Sequence, residues 1–207
     1  MEIKICGMAS EINIRETAAC KPDYFGLIFH SPSPRNAICL APESVITCRP
    51  RRGFVGVFVN KDEDEIVDYI RRYRLSAAQL HGDESPELCR RLKERGFRIW
   101  KAIGIDTPQD FSETERYAGC VDRFVFDRKS PLCGGSGLKF DWRMLRHYTT
   151  GVDFMLGGGI GPDDADDILA IDHPNLAGID LNSCFEVIPG VKNSKLLESF
   201  IQKIRTK

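Results

Sequence analysis

Short apolar runs alternate with longer amphipathic stretches from one end of this 207-residue chain to the other. Eight runs read as strands: EIKIC at 2–6, YFGLIF at 24–29, FVGVFV at 54–59, AAQLH at 77–81, RIWKAI at 98–103, RFVFD at 123–127, DFMLG at 153–157 and AGIDL at 177–181. Helix signals lie between them. Ser10 is placed to cap a segment reaching about Cys20. NKDEDEIVDYIRRYR has acids in its first turn and arginines in its last, which complements the helix dipole. GDESPELCRRLKERG offers Ser85 as N-cap, Pro86 at the first helical position and Gly96 as a stop. GPDDADDILA and NSKLLESFIQKIR open on polar caps and continue with apolar spacing. Strands alternating with helices predict parallel βαβ units. Eight such units in this length predict a (β/α)8 barrel, a single compact domain over 1–207. A doubly wound open sheet is the competing arrangement. It usually has fewer strands, and its GxGxxG fingerprint is missing after the first run.

Composition narrows the function classes. The chain is 42% hydrophobic and 29% charged with a formal net charge of −1, so no strong field favours nucleic acid or an anionic membrane. Arg49, Arg51 and Arg52, and the run Arg71, Arg72 and Arg74, are balanced by the acids from Asp62 to Glu65 and read as solvated helix faces. No stretch approaches the roughly 20 apolar residues of a membrane helix. The first strand begins within a few residues of Met1, without the basic leader and apolar core of a signal peptide, and a cytoplasmic protein is expected. The eight cysteines are scattered, with no CxxC pair and no zinc-ligand spacing. Reduced thiols, most of them packing residues, are the expectation.

In a (β/α)8 barrel the active site forms where strands end. On the first strand Ile3 and Ile5 face one way and Glu2, Lys4 and Cys6 the other, so Cys6 is either a small buried hydrophobe or a thiol placed for chemistry. The proline-stiffened loop HSPSPRNA presents Arg35, a surface residue or a bidentate carboxylate binder. Gln79 and His81 share one strand face, His81 serving as a ligand contact or as a hydrogen-bonded strand cap. Asp127 ends an apolar run, where a carboxylate must be partnered or functional. RKSPLCGGSG follows it as a long glycine-rich loop. GGGIGPDD and DLNSCFE follow the last two strands. There the amides of Gly158 and Gly159 and the hydroxyl of Ser183 suit a phosphate, the alternative being a tight turn that needs glycine for its geometry alone.

These pieces in this order resemble phosphoribosylanthranilate isomerase, the (β/α)8 enzyme of tryptophan biosynthesis. The resemblance runs through KICGM, SPR, VGVFVN, QLHGDESPE, FDRK, GGSGLKFDW, LGGGIGP and PGVKN and covers nearly the whole chain. It implies an Amadori rearrangement of N-(5-phosphoribosyl)anthranilate to the carboxyphenylamino-deoxyribulose phosphate by acid–base catalysis. Cys6 matches the family's general base, Asp127 its general acid, and Arg35 the arginine for the anthranilate carboxylate. Gly158, Gly159 and Ser183 match the phosphate loops and Asp180 an acidic position at the end of the last strand, so that Asp180 joins Gln79 and His81 as a candidate substrate-binding residue. No metal or organic cofactor is implied, and the partner is the small-molecule substrate, with a monomer or a homodimer both open. The chemistry predicts a raised pKa for Asp127, and Lys4, on the same strand face, is the candidate for lowering that of Cys6. Four positions depart from the family pattern: Cys184 stands where a glycine is usual, Gly157 and Gly161 replace an alanine and an asparagine, and loop 2 lacks a tyrosine after Arg35. Another phosphosugar isomerase or epimerase would have no need of Arg35, a phosphate-ligand sensor would need neither Cys6 nor Asp127, and the cysteine spacing speaks against a zinc or redox protein.

Overall fold

The computed structural model describes residues 1–129 and 139–206. The RKSPLCGGSG loop, beyond its first two residues, and Cys133 lie outside the described residues. Eight strands, β1 (Glu2–Ile5), β2 (Tyr24–Ile28), β3 (Gly53–Phe58), β4 (Ala77–Leu80), β5 (Ile99–Ile105), β6 (Arg123–Arg128), β7 (Phe154–Leu156) and β8 (Leu176–Leu181), pair in sequence order, and β8 closes onto β1. Every pairing is parallel. The predicted barrel is therefore the observed one.

The helices form where the caps are strongest. In α3 (Glu63–Arg72) Asp62 accepts from the Glu65 amide at 2.8 Å, with Arg71 and Arg72 in the last turn. Ser85 caps α4 (Pro86–Glu94), and Asn193 caps α7 (Ser194–Arg205). Ser10 caps α1 (Glu11–Ala18) through the Asn13 amide. The helical layer is uneven elsewhere. The helices α2 (Pro42–Ile46), α5 (Glu113–Tyr117) and α6 (Ala165–Leu169) have about one turn each, and a 3-10 turn, Trp142–His147, precedes β7. A hairpin that the apolar pattern does not signal, β9 (Glu186–Ile188) with β10 (Val191–Lys192), stands between β8 and α7.

Strand alternation sorts the core into two bodies. Ile3, Ile5, Phe25, Leu27, Phe54 and Phe124 join the large cluster between barrel and helices. Within it Phe29 stacks on Phe58 and on Tyr69, ring centroids 5.5 and 4.3 Å apart, and each such ring contributes about 1.5–3 kcal/mol through burial. Inside the barrel a smaller layer of Tyr24, Val55, Trp100, Val125 and Met155 fills the lower end. Arg123 lies over the Trp100 ring and pairs with Glu2 beneath it. The barrel floor is thus sealed, and the polar residues on the inward strand faces lie above it.

Candidate active site

Cys6 follows β1 on the inward face, and its packing explains the glycine in the neighbouring strand. A Cβ at Gly26 would stand 2.6 Å from the Cys6 sulfur, so only glycine leaves the thiol its place. The β1–β8 register sets Lys4 beside Asp180, and the ammonium donates to Asp180 Oδ2 at 2.6 Å and to Gln79 Oε1 at 2.7 Å. Lys4 and Gln79 are both fully buried. Burial alone would lower the Lys4 ammonium, but the Asp180 carboxylate and Cys6 reverse this, and the net is a raised value. Asp180 keeps its Oδ1 buried without a hydrogen-bond partner among the described residues, an acceptor left for a ligand hydroxyl.

The thiol departs from expectation. Burial pushes Cys6 up and outweighs the lowering by Lys4 and Lys192, so the net shift is upward, not downward. Lys4 acts in the predicted sense; desolvation, which a sequence does not display, is the larger effect. Asp127 behaves as predicted. Burial raises it to about 6, against the lowering by the Arg128 amide, which donates to Oδ1 at 2.7 Å. Its Oδ2 faces His81 Nε2 at 3.7 Å, beyond hydrogen-bond range. His81 in turn lies with Nδ1 2.9 Å from Gln79 Nε2, and burial together with Lys101 and Lys4 lowers it to about 3. Lys101 is anchored below the β4–α4 loop by the Leu80 and Gly82 carbonyls and the buried Glu84.

Arg35 stands at the opposite rim. Its Nε and one terminal nitrogen grip the Glu186 carboxylate, at 2.7–3.0 Å, leaving three of its five N–H donors for a ligand. Glu186 also accepts from Lys192 at 2.7 Å and from the Gly190 amide at 3.0 Å. Lys192 is buried and donates again to Asn182, while its backbone is held on both sides by Asn13 of α1. Glu186 and Lys192 hold Arg35 at this rim, although neither lies at a barrel strand end. The available signal was the Pro-Gly turn between them in FEVIPGVKN.

At the third side, Gly158 and Gly159 both have positive φ, 78° and 69°, and a Cβ at Gly158 would meet the Arg128 amide at 2.7 Å and Asp127 Oδ1 at 2.9 Å. Neither amide, nor the Ser183 hydroxyl, has a hydrogen-bond partner among the described residues. The Gly161 amide is instead taken by Asp164 at 2.6 Å. Cys184 has no positive φ, so its side chain costs no backbone strain, and its thiol reaches the Gly159 carbonyl at 3.6 Å, tying the two loops. No group of His, Cys, Asp or Glu suited to a metal occurs among the described residues, and none of their helices is long and apolar enough to cross a membrane.

A closed (β/α)8 barrel whose mouth carries a thiol, a raised carboxyl group, an arginine and free loop amides belongs to the class of barrels that move protons on small anionic ligands. Comparison with known proteins makes the assignment specific. The sequence model described as N-(5'phosphoribosyl)anthranilate (PRA) isomerase matches residues 3–203, and the chain belongs to that family. The N-(5'-phosphoribosyl)anthranilate isomerase of Parabacteroides distasonis is 43% identical over 99% of this chain and 93% of its own. The crystal structure of phosphoribosyl anthranilate isomerase from Thermotoga maritima superposes with a TM-score of 0.87 at 29% identity, covering 100% of both chains. A phosphoribosyl anthranilate isomerase in complex with reduced 1-(o-carboxyphenylamino)-1-deoxyribulose 5-phosphate has a TM-score of 0.84 at 26% identity, again over 100% of both chains.

Proposed function

We propose that this chain converts N-(5'-phosphoribosyl)anthranilate to 1-(2-carboxyphenylamino)-1-deoxyribulose 5-phosphate, with Asp127 as general acid and Cys6 as general base. The observation that carries the roles is the pairing, across one mouth, of a carboxyl group raised to about 6 with a thiol beside two ammonium groups. Asp127 gives its proton to the furanose ring oxygen, the C1–O bond breaks, and the anthranilate nitrogen closes a protonated C1=N bond. The Cys6 thiolate removes the C2 proton and its electron pair forms C1=C2, quenching the iminium as an enolamine. Loss of the C2 hydroxyl proton and protonation at C1 then yield the ketone, so no atom or electron is left over.

The remaining groups support binding. The free donors of Arg35 suit the anthranilate carboxylate, held in place by the bidentate grip of Glu186. The amides of Gly158 and Gly159 with the Ser183 hydroxyl suit the phosphate. The open Oδ1 of Asp180 suits a sugar hydroxyl, and Gln79 and His81 line the same side. A cytoplasmic setting suits a phosphorylated substrate and the seven described cysteines, all free. The test is the loss of anthranilate-type fluorescence when purified protein meets freshly made substrate without added metal or cofactor. Turnover by the parent that collapses in folded Cys6→Ser and Asp127→Asn supports the roles. A folded parent without turnover would refute the reaction.

A further inference from the structure

We propose that Gln79 is a positioning residue whose amide, oriented by Lys4, fixes His81 as a neutral imidazole with its proton on Nε2, and so keeps the acid's proton on Asp127. The inference rests on the role of Asp127 given above and concerns a side chain that role does not require.

The chain of contacts has a direction. Lys4 carries only donors, so the atom of Gln79 that meets it at 2.7 Å is the carbonyl oxygen. The amide nitrogen is then the atom 2.9 Å from His81 Nδ1, and an NH2 group can only donate there. Nδ1 is therefore the accepting nitrogen, and the ring's one proton sits on Nε2, the nitrogen 3.7 Å from Asp127 Oδ2. A second proton on Nδ1 would set N–H against N–H. Turning the amide to relieve that would set its NH2 against the Lys4 ammonium, which is fully buried and cannot turn to water. The charged groups facing His81 have the same effect. Lys4 from β1 and Lys101 from β5 both oppose an imidazolium, while Asp180 from β8 is occupied by Lys4, and Asp127 from β6 lies out of hydrogen-bond range.

The consequence is chemical. An imidazole at its ordinary value of 6.5 beside a carboxyl group near 6 would compete with it for the proton, and each molecule in the imidazolium–carboxylate form would have no acid to offer the ring oxygen. Holding Nδ1 as an acceptor removes that competition. It leaves a neutral Nε2–H facing the oxygen that becomes negative when Asp127 has given its proton away.

Nitrogen NMR of 15N-histidine-labelled protein tests this directly, with the His81 signals assigned by their loss in His81→Asn and read from pH 5 to 8. The expected result in the parent is a neutral ring protonated at Nε2 throughout, with the carboxyl 13C signal of Asp127 titrating near 6. In Gln79→Glu the carboxylate accepts from Nδ1–H; His81 should become charged at pH 6, and the Asp127 midpoint should fall by about one pH unit or more, a tenfold or greater loss of proton affinity. A parent ring that titrates between pH 5 and 8, or is protonated at Nδ1, overturns the proposal. So does a His81 that stays neutral in Gln79→Glu. If Gln79→Glu does not fold, the parent spectra decide alone. A neutral Nε2–H ring in a parent without turnover would uphold the tautomer and refute the acid role of Asp127, so the two failures are distinguishable.

Discussion

pH is the perturbation that separates the two proposed catalytic groups most sharply, because they titrate in reversed order. The proposed mechanism needs Asp127 protonated and Cys6 ionised. Asp127 is raised to about 6, while Cys6 is raised above its ordinary 9.0, so the pair is at least about three pH units apart in the unhelpful sense. Fewer than about one free enzyme molecule in 10³ holds the correct form at neutral pH. That fraction is independent of pH between the two values: each unit of alkalinity gains tenfold in thiolate and loses tenfold in acid. kcat/KM, followed by fluorescence loss, should therefore be flat from about pH 6 to beyond the ordinary thiol value of 9.0 and fall about tenfold per unit below 6. The low-pH limb then belongs to the acid and the high-pH limb to the base. A fall beginning near pH 7 would show a thiol already ionised there, against the burial argument. A tenfold climb per unit between pH 7 and 9 would show an acid that stays protonated throughout, against the value assigned to Asp127.

Three further outcomes follow from the same geometry. Asp127→Asn should stabilise the fold, because a raised carboxyl value disfavours the folded ionised form: the gain is up to about 3 kcal/mol at pH 8 and vanishes below the ordinary 3.8, checked by urea melts at pH 8 and 3.5. Glu186→Ala leaves Arg35 and Lys192 without their shared carboxylate, and should cost about 3–5 kcal/mol at pH 7 and raise KM. Glu186 has a lowered value (burial opposes, but Arg35 and Lys192 prevail), so its contribution is present above 4.5 and fades as pH falls below it; denaturant melts of parent and variant should converge there. Gly26→Ala puts a methyl 2.6 Å from the Cys6 sulfur and 2.9 Å from its Cα, and should cost about 1–3 kcal/mol in thermal melts while lowering kcat more than it raises KM.

The features legible in the sequence were those that depend on local periodicity. Eight apolar runs gave eight strands, and period-two alternation placed Lys4 with Cys6 and Gln79 with His81 on shared inward faces, as found. The caps of α1, α4 and α7 and the charged ends of α3 were readable because each needs only residues within one turn. The clamp on Arg35 was not. Glu186 lies 151 residues away, on a hairpin whose strands have three and two residues, too short for alternation to register. The sign of the Cys6 shift was missed for a related reason. A neighbouring lysine is visible in a sequence, but the burial of the thiol depends on how Gly26 and the barrel wall close around it.

The division of labour between Cys6 and Asp127 is tested most directly with substrate deuterated at ribose C2, measuring the isotope effect on kcat/KM in the parent, Cys6→Ser and Asp127→Asn. If Cys6 removes the C2 hydron, weakening it makes that step limiting and the isotope effect grows. If Asp127 opens the ring, weakening it makes the earlier step limiting and the effect shrinks toward one. An isotope effect that grows in Asp127→Asn and shrinks in Cys6→Ser would contradict both assignments.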